Sequence, residues 1–174
     1  MLFRSVEKLS QCDGIILPGV GAAPGAMKSL TERGLIPFLR TIEKPLLGIC
    51  LGMQLLFESS EEGETTCLGI LPGRTARLSD RSGKVPHMGW NAVRFTIAHP
   101  LIEGIDQYGY FYFAHSFVAA PNAATIGVSE CGETFTAALA HGNILGVQFH
   151  PEKSGKNGLS LLKNFETLCT LSRP

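Results

Sequence analysis

The chain has 174 residues, 44% of them hydrophobic and 17% charged, with fifteen Lys and Arg against fifteen Asp and Glu. That length suits one domain with a real core. The charge balance and the lack of any like-charged block exclude electrostatic capture of nucleic acid or of an anionic membrane. Five scattered cysteines, Cys12, Cys50, Cys67, Cys131 and Cys169, form no C-x-x-C pair, so no zinc ribbon or redox motif is readable. A reduced, cytoplasmic protein is expected. The first ten residues are too charged for a signal peptide, and no apolar run approaches the ~18 residues of a membrane span.

In chain order, "GIILPG" (14–19) is a short apolar run closed by Pro-Gly and predicts a fully buried strand. "APGAMKSLTERG" predicts a helix ending at Gly34, and "LIPFLRTIEK" a further helical turn or two. "PLLGI" (45–49) reads as a second buried strand, and "LGMQLLFESSEEG" as a helix from the end of that strand to Gly63. Solidly apolar strands alternating with helices predict a parallel sheet covered on both faces. After about residue 70, short runs such as "RTARLS", "NAVRFT", "YGYFYFAHSFVAA", "ATIGVSE", "FTAALAHGN" and "ILGVQFH" predict a β-rich second half. "YGYFYFAHSF" reads as a core strand rather than a stacking platform for nucleic acid. Residues 159, 161, 162, 165 and 168 give a closing amphipathic helix.

Gly48-Ile49-Cys50-Leu51-Gly52 is G-x-C-x-G, the cysteine counterpart of the G-x-S-x-G elbow. A nucleophile on a tight strand-to-helix turn leaves little room for neighbouring Cβ atoms, and helix amides beyond it favour a thiolate. Free cysteines are also among the most buried residues, so a packing role stays open here. "GVQFHPE" supplies a base at His150, at the end of the final strand, with Pro151 forcing a turn and Glu152 returning a carboxylate toward the imidazole. "LPGVGAAPGAM" (17–27) lacks the G-K-[ST] of a phosphate loop. It is a better oxyanion loop, with a plain strand-to-helix connection as the other reading. In "VPHMGWN" (85–91), read as a turn, Trp90 is either a partly covered hydrophobe or an interface anchor.

Together "LPGVGA", "GICLGMQLLFESSEEG", "VPHMGWN", "FAHSF" and "GVQFHPEKSG…GLSLLKNF" resemble the triad-type class I glutamine amidotransferases, from about Asp13 to Phe165. "VPHMGWN" and "HPEKSG" are similar, more narrowly, to the glutaminase subunits of imidazole glycerol phosphate synthases. The resemblance implies a flavodoxin-like α/β fold with a parallel central sheet flanked by helices and a β-rich second half, as one domain over 1–174. It implies Cys50 as nucleophile, His150 as general base then acid, and Glu152 as its orienter. Val20 and Leu51 amides would form the oxyanion hole. Gly19, Gly21, Gly52, Gln54, Glu62, His115 and Ser116 would hold glutamine, with no cofactor and no metal. His87, Met88, Trp90, Asn91 and Lys153 would face a barrel-shaped cyclase subunit that consumes the ammonia.

A non-catalytic or weakly active interaction subunit of the same fold, or a different class I amidotransferase or thiol hydrolase, is the alternative reading. Members of the family carry a further strand-helix unit (~30 residues) ahead of the "LPGVG" strand. In a sheet of 2-1-3-4 order, its absence here leaves the strand at 14–17 on an exposed edge, from which self-association is expected.

Overall fold

The computed structural model of the chain describes residues 5–79 and 83–172. A short helix α1 (Val6–Ser10) leads into strand β1 (Ile15–Gly19), followed by helices α2 (Ala23–Glu32) and α3 (Leu35–Arg40). Pro24 and the absence of β-branched residues at the start of α2 suit a helical first turn, and Met27 and Leu30 give it a buried face. Strand β2 (Leu46–Cys50) is buried along its whole length and runs directly into helix α4 (Leu51–Gln54). Short strands β3 (Ser59–Ser60), β4 (Thr65–Thr66) and β5 (Arg74–Arg77) come next. The second half holds β6 (His87–Phe95), β7 (Tyr108–His115), β8 (Phe117–Ala119), β9 (Thr125–Glu130), β10 (Thr134–His141), β11 (Ile144–Val147) and the long helix α5 (Gly155–Leu171).

The main sheet has seven strands in the order β1-β2-β11-β10-β9-β6-β7. Its β1, β2 and β11 are parallel, as the apolar runs predict, and from β10 onward the pairing is antiparallel. A smaller sheet, β4-β3-β5-β8, closes over the end of α4. One core layer stacks Phe111 on Phe149, with Phe113, Phe135, Leu161 and Phe165 around them. The other packs Met27, Leu30 and Leu39 of α2 and α3 against Leu46, Met53 and Phe57. Truncating one of these buried phenylalanines to alanine is worth about 3–5 kcal/mol, so the sheet is firmly held from both sides.

Three local expectations give way. The strand at 14–19 is not fully buried: among the described residues β1 pairs only with β2, and its residues alternate, with Ile15 covered and Ile16 exposed. The predicted helix to Gly63 stops after Gln54. The carbonyls of Leu55, Leu56 and Phe57 accept from Leu68, Ile70 and Gly69 instead of from the next helical turn, so the segment is turned inward to pair with a distant loop. The "VPHMGWN" segment is no turn beyond His87, because β6 starts there and pairs with β7 from His87↔His115 to Arg94↔Tyr108.

Candidate active site

Cys50 sits where β2 ends and α4 begins, with φ 52 and ψ −111. A non-glycine residue at positive φ is strained, and such strain persists only where the surroundings over-determine it. The glycines beside it explain how. A Cβ on Gly48 would come within 2.7 Å of the Met53 backbone, and one on Gly19, the register partner of Cys50, within 2.5 Å of the Leu51 Cβ. The α4 backbone therefore lies directly on β1 and β2, and the cysteine is held at the tip of the bend.

The thiol is buried, and burial pushes its pKa up to about 11, partly offset by a hydrogen bond from the Leu51 amide and by the Gln148 side chain. At neutral pH it rests as the neutral thiol, not as the preformed thiolate that a helix start would favour. Its hydrogen bonds run to Ala114 O at 3.8 Å and from Gln148 Nε2 at 3.6 Å.

His150 follows β11 by three residues and is fixed through its backbone. Its N–H donates to Tyr112 O (2.8 Å), and its carbonyl accepts from Ser154 Oγ (2.6 Å). Pro151 opens a single 3₁₀ turn that brings Glu152 Oε1 to 2.8 Å from His150 Nδ1. A carboxylate can only accept, so Nδ1 carries a proton, and in the neutral ring the lone pair for base chemistry is on Nε2. Cys50 and His150 line one cleft of about 330 Å³, at the small end of ligand sites.

The cleft gathers most of the residues singled out from sequence: Gly19, Val20, Gly21, Leu51, Gln54, Glu62, His115, Ser116, Met88 and Lys153 all border it. Gly52 and Glu152 are not among the residues that line it. Glu62, otherwise readable as a solvated charge, accepts from the Ala23 amide at 2.7 Å and ties the cleft to α2. Gln54 is buried and donates to Phe117 O (2.9 Å) and Gln148 Oε1 (3.1 Å). His115 donates from Nδ1 to Phe117 O (3.1 Å) and meets His87 Nδ1 through Nε2 at 3.0 Å. Burial, then the neighbouring His87, drives its pKa down to about 3, so it stays neutral.

The "VPHMGWN" strand divides its residues between two faces. Met88 and Trp90 are exposed at 64% and 57%, Trp90 packs edge-on to Tyr112, and Lys153 Nζ lies 5.8 Å from the same tyrosine ring. His87 and Asn91 turn toward the protein: Asn91 Nδ2 meets His87 Nε2 (3.2 Å) and donates to Glu130 O (2.8 Å). Gln148 was not singled out in the sequence, although it contacts Cys50 Sγ. The available signal was a lone carboxamide in an otherwise apolar run, which burial obliges to find partners.

The family model "Glutamine amidotransferase class-I" matches residues 3–168. An "Imidazole glycerol phosphate synthase subunit HisH" from Mannheimia succiniciproducens is 49% identical over 93% of this chain and 84% of its own length. The protein of that name from Sulfurimonas denitrificans is 50% identical over 91% and 81%. Among solved structures, a glutamine amidotransferase superposes with TM-score 0.72 at 20% identity, covering 97% of this chain and 85% of its own. One from Thermotoga maritima gives 0.61 at 19%, covering 94% and 76%. With the fold matched by these structures and the sequence by the family model over nearly its whole length, the chain belongs to the class I glutamine amidotransferases.

Proposed function

We propose that this chain is the glutaminase subunit of an imidazole glycerol phosphate synthase, with Cys50, His150 and Glu152 as its catalytic triad. The observation that carries this reading is the strained Cys50 elbow sharing one cleft with a His150 whose Nδ1 is already committed to Glu152. The identity to relatives named HisH supports the narrower assignment.

The Cys50 proton passes to His150 Nε2, and the sulfur attacks the side-chain amide carbon of glutamine. The amides of Leu51 and Val20 receive the oxyanion, and His150 returns its proton to the departing ammonia. Water, deprotonated by His150, then hydrolyses the γ-glutamyl thioester to glutamate. Gln54, Glu62, Gly19, Gly21, Gly52 and the chain around His115 and Ser116 hold the substrate. Ammonia goes to a barrel-shaped cyclase subunit that docks on Met88, Trp90 and Lys153 beside the cleft mouth. Ammonia released without a partner would be lost, so the unpartnered chain is nearly idle, and docking of the loaded cyclase aligns the Gly19-Val20-Gly21 loop and completes the site. The edge strand β1, with Ile16 exposed, also supports self-association when the cyclase is absent. Among the described residues no helix is long and apolar enough to cross a membrane.

The test is release of glutamate and ammonia from glutamine, with and without the nucleotide-loaded cyclase. Cyclase should raise the rate by orders of magnitude, and Cys50→Ala should abolish it in both settings while the complex still forms. Hydrolysis by the Cys50→Ala protein would remove the triad assignment. Equal rates with and without the partner would favour a stand-alone thiol hydrolase.

A further inference from the structure

We infer that Gln148 is a positioning residue for the nucleophile: its buried carboxamide aims an N–H at the Cys50 sulfur while its oxygen anchors Gln54. The inference rests on the proposed role of Cys50 and adds to that reading a residue outside the triad.

The orientation of each amide follows from one carbonyl outward. Phe117 O can only accept, so the end of Gln54 that lies 2.9 Å away is its nitrogen. The same nitrogen lies 3.1 Å from the carboxamide of Gln148, which must therefore present its oxygen there. Its other end, the nitrogen, faces Cys50 Sγ at 3.6 Å. Both amide hydrogens of Gln54 are now committed, which leaves Gln54 Oε1 to meet a ligand in the cleft. Gln148 thus gives Sγ a donor, while Ala114 O accepts from the thiol at 3.8 Å.

Gln148 is fully buried and its backbone N–H is bound to Ala137 O at 2.9 Å, so the side chain has no freedom to leave. A residue chosen only to fill this space would be apolar, because a buried amide costs free energy unless both ends are paired. One end is paired with the glutamine pocket and the other with the reacting sulfur. When the proton leaves Sγ for His150 Nε2, the sulfur becomes an anion and the Gln148 hydrogen bond becomes charge-assisted. The group thus favours the thiolate against the burial that disfavours it.

The test is alkylation of Cys50 by iodoacetamide in the full chain at pH 9, read by mass spectrometry of the Cys50 peptide with Cys12 as internal reference. Gln148→Met preserves length and removes both hydrogen bonds; Gln148→Leu is the second variant, differing in shape. Cys50 alkylation relative to Cys12 should fall about tenfold, equivalent to about one pKa unit, with the thermal melt run alongside. A folded variant with an unchanged ratio, whatever its melting temperature, would overturn the inference and leave Gln148 as a packing residue. The readout uses no glutamine, so it stands apart from the hydrolysis assay that tests the triad.

Discussion

Gly52 and Leu17 are in such close approach that a Cβ on the glycine would lie 1.8 Å from the Leu17 carbonyl oxygen. The first turn of α4 therefore rests on the backbone of β1, and the Cys50 elbow is built against the strand that feeds the Gly19-Val20-Gly21 loop. Gly52→Ala should push α4 off β1, costing about 2 kcal/mol or more, as overpacking of a rigid contact does. Because Leu51 moves with it, cyclase-stimulated hydrolysis should fall at least tenfold. Urea denaturation and the glutaminase assay check the two effects, and wild-type behaviour in both would mean the contact can relax freely.

Acid should act through His115. Its pKa is lowered to about 3 in the fold by burial and by His87, against about 6.5 for an exposed histidine. The unfolded chain therefore takes up a proton below pH 6.5 that the native state refuses. The stability associated with neutral His115 is present above that pH and is lost as pH falls from 6.5 toward 3. By pH 5 the loss is about 2 kcal/mol. Urea midpoints measured from pH 7 to pH 5 should show this decline, and it should be shallower in a folded His115→Gln protein.

Trp90 projects from β6 with more than half its surface free, so its removal should leave the fold unharmed. If it anchors the cyclase, Trp90→Ala should weaken association by about 2 kcal/mol, roughly thirtyfold in affinity. Titration calorimetry measures it directly. Unchanged affinity would leave Trp90 as a surface hydrophobe packed on Tyr112.

The Cys50 elbow was legible because its signal is local: a solid apolar strand, then a cysteine with glycine two positions to either side. The His150-Pro151-Glu152 turn was legible for the same reason, since proline fixes the bend that brings the carboxylate home. The end of α4 was not. Leu55 to Phe57 keep helical spacing in sequence, and their carbonyls are captured by the segment from Leu68 to Leu71, a pairing that no local window contains. The start of β6 was obscured by Gly89, whose φ of +130 suits a turn but here sits within a strand paired with β7. Gln148 escaped notice because a single glutamine in a strand-like run reads as a solvent-facing position until its partners are seen.

The exposed edge offers a prediction of a different kind. Among the described residues β1 has β2 on one side only, and Ile16 on that strand is 43% exposed. Ile16→Lys places a charge on that edge, the usual defence against strand-to-strand pairing. Light scattering of the cyclase-free chain should show association that this substitution reduces. A wild-type chain monomeric at high concentration would remove the idea.

The buried resting state of Cys50 has a bearing on how long the protein lasts. Burial lifts its pKa to about 11, so at pH 7 the sulfur is held almost wholly as the neutral thiol. Oxidation by peroxide begins at the thiolate and proceeds through sulfenic acid to forms that cannot be reduced again. The burial that raises the pKa of this thiol therefore also shields its sulfur from oxidants, and the side chain stays reduced while it stays neutral.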